Sequence, residues 1–169
     1  PLYVLPENVG ALNGRMSVTK GNTSINLDYA YKINDPSAEN NYIYKNGTGL
    51  ILTANYSQKG MGISMGIKRI DNMSFRSERN AMLQDLNINY ITPFTKQQAY
   101  SLATMYPYSS QPNGEMGMQL DFYYTIPKKS KIGGKYGTQI SVNFSNVFDI
   151  DQTSPDDSEG INQRGTLGY

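Results

Sequence analysis

The chain contains no cysteine. A disulfide framework, a thiolate metal site and a cysteine nucleophile are therefore excluded within its 169 residues. Histidine is absent as well, which removes the Ser-His and Cys-His pairs of nucleophilic catalysis and the commonest metal ligand. There is no tryptophan, and charged residues make up only 17%, below the roughly 25% of ordinary soluble domains. A net charge of +1 supplies no electrostatic footprint for nucleic acid. No apolar run approaches the roughly 18 residues that a membrane helix needs. Residues 1–10 lack the basic start and apolar core of a secretory signal, so for an exported chain the expectation is a signal lying upstream.

Fourteen tyrosines and abundant Asn, Ser, Thr and Gly fill the space left by charge. Their arrangement has a period of two, the repeat of a strand with one apolar face. Eight segments follow it: 12–20, 23–32, 48–57, 61–70, 83–91, 98–106, 115–126 and 136–148. The clearest is 115–126, where Met116, Met118, Leu120, Phe122, Tyr124 and Ile126 oppose Gln119, Asp121 and Thr125. In 83–91, Leu86, Ile88 and Tyr90 alternate with Asp85, Asn87 and Asn89. A ninth strand is expected to begin near Gly165. The connections alternate between short (20–22, 58–60, 92–97) and long (33–47, 71–82, 107–114, 149–164), and 127–135 falls where a short one is due.

Alternation alone fits two architectures. In a soluble sandwich the apolar face is the core and the polar face meets water. In a membrane barrel the apolar face meets lipid and the polar face lines the lumen. Segment length favours the barrel, since roughly 9–11 tilted residues cross a bilayer while globular strands cluster near 5–6. The short-long rhythm of the connections, the tyrosines near segment ends and the sparsely charged polar face point the same way. The expected fold is thus an all-β antiparallel up-and-down meander of eight or nine strands, forming a transmembrane β-barrel or part of one. A soluble antiparallel β-sandwich binding module, for example one for glycans, is the alternative.

Three strings carry a resemblance: "FRSERN" at 75–80, "ATMYPYSSQPNGEMG" within 89–138, and "GGKYGT" at 133–138. With the closing "RGTLGY" they resemble an uncharacterised family of outer-membrane proteins from Bacteroidales and related bacteria, described as a domain of unknown function. The resemblance covers most of the second half and, more loosely, the first. Its members are longer, which implies that this chain is an internal part of a larger barrel in the bacterial outer membrane. It brings no active site.

The residues themselves offer five candidates on the expected lumen face: Arg15, Asp28, Lys68, Asp85 and Asp121. They could select solutes as a charged constriction; the plainer reading is an internal network of ion pairs and hydrogen bonds. Lys128, Lys129, Lys131 and Lys135 form a basic connection that could meet anionic headgroups or simply be a solvated turn. Arg76, Glu78 and Arg79 suggest a loop salt-bridge cluster. Asp149, Asp151, Asp156, Asp157 and Glu159 make an acidic stretch whose spacing lacks the glycine and final glutamate of a calcium loop. No cofactor or metal is expected. Gly47, Gly49, Gly133, Gly134 and Gly137 lack the context of a phosphate loop. The expected function is non-enzymatic: a solute pore, or a structural or assembly component of the bacterial surface. Its partners would be outer-membrane lipid and other surface proteins met through the long loops, and not nucleic acid.

Overall fold

A computed structural model of the chain describes residues 4–83, 85–94 and 109–150. Six strands lie in chain order in one sheet, each antiparallel to the next: β1 (Ala11–Lys20), β2 (Thr23–Lys32), β3 (Gly47–Gln58), β4 (Met61–Asp71), β5 (Gly114–Ile126) and β6 (Thr138–Phe148). All six arise where period-two segments stand in the sequence, and the strand bounds differ by at most two residues from the pattern. The described residues hold six of the expected eight or nine strands, and one expected strand is corrected. Among the described residues of the segment 83–91 there is no strand, and their one ladder contact is an isolated bridge between Arg76 and Asn87. Leu83 and Leu86 sit at φ 58° and 52°, and a left-handed residue ends an extended run. The segment 98–106 and the ninth strand near Gly165 lie outside the described residues.

The tight turns follow from local chemistry. Gly21 (φ 57°) joins β1 to β2 in a two-residue loop with Asn22, and Gly60 (φ 80°) follows Lys59 between β3 and β4. Two-residue hairpin loops demand positive φ at such positions, and glycine supplies it without a steric cost. The third connection at this end, residues 127–137, is held by its own hydrogen bonds, including Lys129 N–H to the Gly134 carbonyl at 2.7 Å. At the opposite end run the long connections, β2 to β3 over 33–46 and β4 to β5 over 72–113. A one-turn 3-10 helix, Ala38–Asn40, interrupts the first.

Register is continuous across the sheet, so each face is a set of unbroken rows. One row reads Val18, Ile25, Ala54, Met65, Leu120 and Phe144; the next reads Met16, Leu27, Leu52, Ile67, Met118 and Asn146. This apolar face is the uncovered one: Met16, Val18, Ile25, Met65, Ile67, Leu120, Val142 and Phe144 are all exposed. Tyr29 and Tyr31 stand at its loop end, and Tyr56 and Tyr124 at its turn end. The opposite face is polar, with Ser17, Asn26, Thr53, Gly66, Gln119 and Ser145 in one row. The described parts of the long connections fold over the loop end of that polar face. The buried apolar residues Ile43, Ile70, Met73, Phe94 and Ile150 collect there, so the small core lies beneath loops and not beneath a second sheet.

Among the described residues β1 and β6 are each paired on one side only, and the sheet is open. No helix in these residues is long and apolar enough to cross a membrane.

Candidate functional site

The polar face has two zones. Toward the turns it is a ladder of hydrogen bonds between neighbouring strands. Ser17 Oγ donates to Asn26 Oδ1 at 2.7 Å, and Asn26 Nδ2 to Thr53 Oγ1 at 3.3 Å. Ser64 Oγ donates to Asn55 Oδ1 at 2.6 Å. Asp121 accepts from Gln119 Nε2 and Asn143 Nδ2, both at 2.8 Å. Such pairs satisfy polar side chains laterally, without requiring a ligand.

Toward the loops the face becomes a buried charge cluster. Lys68 leaves the middle of β4 with its side chain fully buried. Its Nζ lies 2.5 Å from Glu115 Oε1 and donates to Ser110 Oγ at 2.8 Å and the Thr92 carbonyl at 3.1 Å. The Phe94 ring caps the ammonium at 5.4 Å from the ring centroid. Glycine makes room for this ring: a Cβ on Gly66 would lie 2.9 Å from Phe94 Cε2. Glu115 in turn accepts the Gln111 N–H at 2.8 Å through Oε2. Two rows closer to the loops, on β2, Lys32, also fully buried, donates to the Ser74 carbonyl at 2.5 Å. On the opposite face, at the loop end of β4, Lys45 and Arg69 reach Asp71 at 2.7 and 3.5 Å.

The connections are tied to one another by arginines. Arg76 is buried, bonded through Nη1 to the Asp85 carbonyl at 2.7 Å and through Nη2 to the Leu83 carbonyl, with Glu39 Oε2 at 3.7 Å. Arg79 holds Asp35 at 3.2 Å and the Pro6 carbonyl. Asn40, buried, donates to the Asp35 carbonyl at 3.0 Å and to Asn72 Oδ1 at 2.9 Å. The arginine-rich loop is therefore a clamp between the two long connections.

Of the five expected lumen residues, Arg15, Asp28, Lys68 and Asp121 stand on the polar face. They are not brought together as one constriction. Arg15 and Asp28 form a cross-strand ion pair at 2.6 Å near the open edge, Lys68 belongs to the buried cluster, and Asp121 to the turn-end ladder. Asp85 is a correction: it lies in the β4–β5 connection, exposed, with its carbonyl accepting from Arg76 and its N–H donating to the Met82 carbonyl. The four lysines of 127–137 are exposed in a turn, and Glu78 is exposed in the loop. Of the acidic stretch only Asp149 falls in the described residues. Sequence reading did not single out Lys32, Lys45, Asp71 or Glu115. Each is an ordinary strand-end or loop charge until the connections fold back on them.

The chemistry available is limited. Among the described residues no cluster of three or more Asp, Glu, His or Cys side chains is placed to hold a metal ion, and the hydroxyl beside Lys68, that of Ser110, meets an ammonium already paired with Glu115. A cavity of about 270 Å³ opens between the sheet and residues 89–91, with Asn13, Asp28, Ile51, Met73 and Asn89 in its wall. Its lining is mainly apolar, and Asp28 is its charged member.

A family model described as a family of unknown function, DUF6029, matches residues 2–166. The chain belongs to the DUF6029 family. No curated protein and no solved structure matches it. Family membership thus fixes kinship over nearly the whole chain and leaves the role of a DUF6029 sheet to be argued from its two faces.

Proposed function

We propose that this DUF6029 chain is a wall segment of an outer-membrane β-barrel in a Bacteroidales or related bacterium, and that its role is structural and non-enzymatic. The observation that carries this reading is the inversion of the sheet. The apolar face is left bare, while the chain's own connections cover the polar one. A water-soluble sheet does the opposite, because burying apolar area is what drives folding in water. In lipid, an apolar outer face and a polar inner face cost nothing to keep.

The aromatic distribution supports the same orientation. Tyr31 and Tyr56 stand in rows at opposite ends of the bare face, and eight residues of β2 separate those rows. At 3.3 Å per residue the separation is about 26 Å along the strand. Tilting shortens that to about 20 Å, comparable with the roughly 25 Å apolar band of such barrels. The strands, of 10 to 13 residues, have the length for a tilted crossing. Unpaired strand edges cost several kcal/mol per missing hydrogen bond in lipid. In the assembled barrel β1 and β6 therefore pair with further strands.

Within this reading the filled loop end favours a closed structural or assembly component over an open solute pore. Lys68, Glu115 and Phe94 occupy the space a permeant solute would cross on this wall. The decisive experiment is fractionation of the full-length gene product. The protein is expected to require detergent for extraction and to migrate faster on a gel when unboiled, the behaviour of a closed barrel. A protein soluble without detergent and insensitive to heating returns the soluble β-sandwich. Planar bilayers then separate the two barrel roles: a quiet bilayer fits the closed component, and stepwise conductance assigns the pore.

A further inference from the structure

We infer that the short-turn rim of this sheet binds anionic phospholipid headgroups. Here six lysines face outward with no carboxylate among them. The inference rests on the membrane reading and adds a specific lipid chemistry to one end of the wall.

Charge is segregated along the strand axis. Lys20 ends β1, Lys59 lies in the β3–β4 turn, and Lys128, Lys129, Lys131 and Lys135 lie in the β5–β6 connection. All six are exposed. The connections 21–22, 59–60 and 127–137 contain no aspartate or glutamate. Elsewhere in the described residues six of seven cations are matched: Arg15, Lys45, Lys68, Arg69, Arg76 and Arg79 each face a carboxylate within 4.0 Å, and the seventh, Lys32, is buried against the Ser74 carbonyl. None of those ion pairs includes a rim lysine. The carboxylate nearest the rim along β5 is Asp121, already engaged by Gln119 and Asn143.

The rim also has the mixed chemistry of a membrane interface. Ile132 and Tyr136, both 77% exposed, sit in the same connection as the four lysines. The ammonium of Lys135 lies 5.4 Å from the centre of the Tyr136 ring. Just inside, Tyr124 closes the exposed apolar face. A tyrosine ring at headgroup depth, an isoleucine pointing away from any core and long lysine stems fit a surface that is apolar on one side and anionic on the other. The connection is internally braced: Ser130 Oγ donates to the Pro127 carbonyl at 2.8 Å and accepts the Gly133 N–H at 2.9 Å. That bracing keeps the lysines turned outward. A solvated turn explains lysines alone. It does not explain the complete exclusion of acid together with two large exposed apolar side chains at the edge of a bare apolar face.

The test uses the purified full-length protein in vesicles of phosphatidylcholine, alone or mixed with phosphatidylglycerol. The lipids retained after gentle detergent extraction are counted by native mass spectrometry. A favourable lysine near an anionic surface contributes about a fivefold preference. Wild type is therefore expected to retain phosphatidylglycerol at least tenfold over its share. K128Q/K129Q/K131Q/K135Q should lose most of that enrichment, the corresponding quadruple arginine variant should keep it, and high salt should erode it in wild type. Should the glutamine variant fail to insert, the wild-type salt series carries the decision. Heat-modifiable, inserted wild-type protein that retains both lipids in proportion overturns the inference and leaves the membrane reading standing. Protein that never inserts overturns both.

Discussion

Lys68 and Glu115 illustrate how a strand residue changes meaning when a loop closes on it. In the sequence Lys68 is one polar position among alternating apolar ones, and the pattern assigns it to the polar face. Its partner lies 47 positions along, a separation that no local period encodes. Both side chains are almost wholly removed from solvent, and a buried charge stripped of its partner costs about 3–5 kcal/mol. Lys68→Met should therefore destabilise the fold by about that amount. Lys68→Met with Glu115→Leu should recover much of the loss, because an apolar pair of similar volume avoids both desolvation penalties. Denaturant unfolding of the three proteins measures the difference; a double variant weaker than the single one would sink the pairing. Gly66 supplies a second prediction. Any side chain there displaces the Phe94 ring, so Gly66→Val should expose the β4–β5 connection to protease while leaving strand content unchanged by circular dichroism.

At the scale of elements, the strands were the legible part. Six period-two segments became six strands in the expected antiparallel order. The alternation that placed them is physical: it is the pleat itself. The seventh segment that reaches the described residues, 83–91, carries the same alternation and forms no strand. Its carbonyls at Leu83 and Asp85 are taken by the buried guanidinium of Arg76, and Leu83 and Leu86 turn left-handed. A side-chain contact from seven to nine residues upstream thus overrode the alternating pattern, and Asp85 left the expected lumen face with it. The identity of the two faces is testable on β3 and β4. Met65, 41% exposed, and Asn55, in the adjacent row on the opposite face, separate the membrane reading from a soluble one. An arginine facing the bilayer midplane costs about 2–4 kcal/mol, whereas exposed surface substitutions in water stay within about 0.5 kcal/mol. Met65→Arg should lower the yield of heat-modifiable protein severalfold, and Asn55→Arg should be tolerated. Equal yields would argue for water on both faces.

For the whole molecule, the question is what meets the two open edges. The six strands form one open sheet, and among the described residues β1 and β6 are each paired on one side only. In the proposed membrane setting, the hydrogen-bond cost of an open edge in lipid demands some partner. The absence of cysteine makes the arrangement directly measurable, since any introduced pair reports without background. A disulfide requires Cα atoms within about 7 Å, which adjacent strands satisfy and strands separated by others do not. Cysteine pairs stepped along β1 and β6, on Asn13, Ser17, Ser141 and Ser145, should fail to cross-link within one chain under oxidation in the membrane. The matched control, Ser17 with Asn26 across the β1–β2 register, should cross-link readily. Efficient β1–β6 cross-linking would mean that the sheet closes on itself as a six-stranded barrel. Its interior would then be filled by the Lys68 cluster and the connections above it, with no room for a lumen. Failure of the edge pairs with success of the control places further strands between them, and the polar face becomes one wall of a wider enclosure.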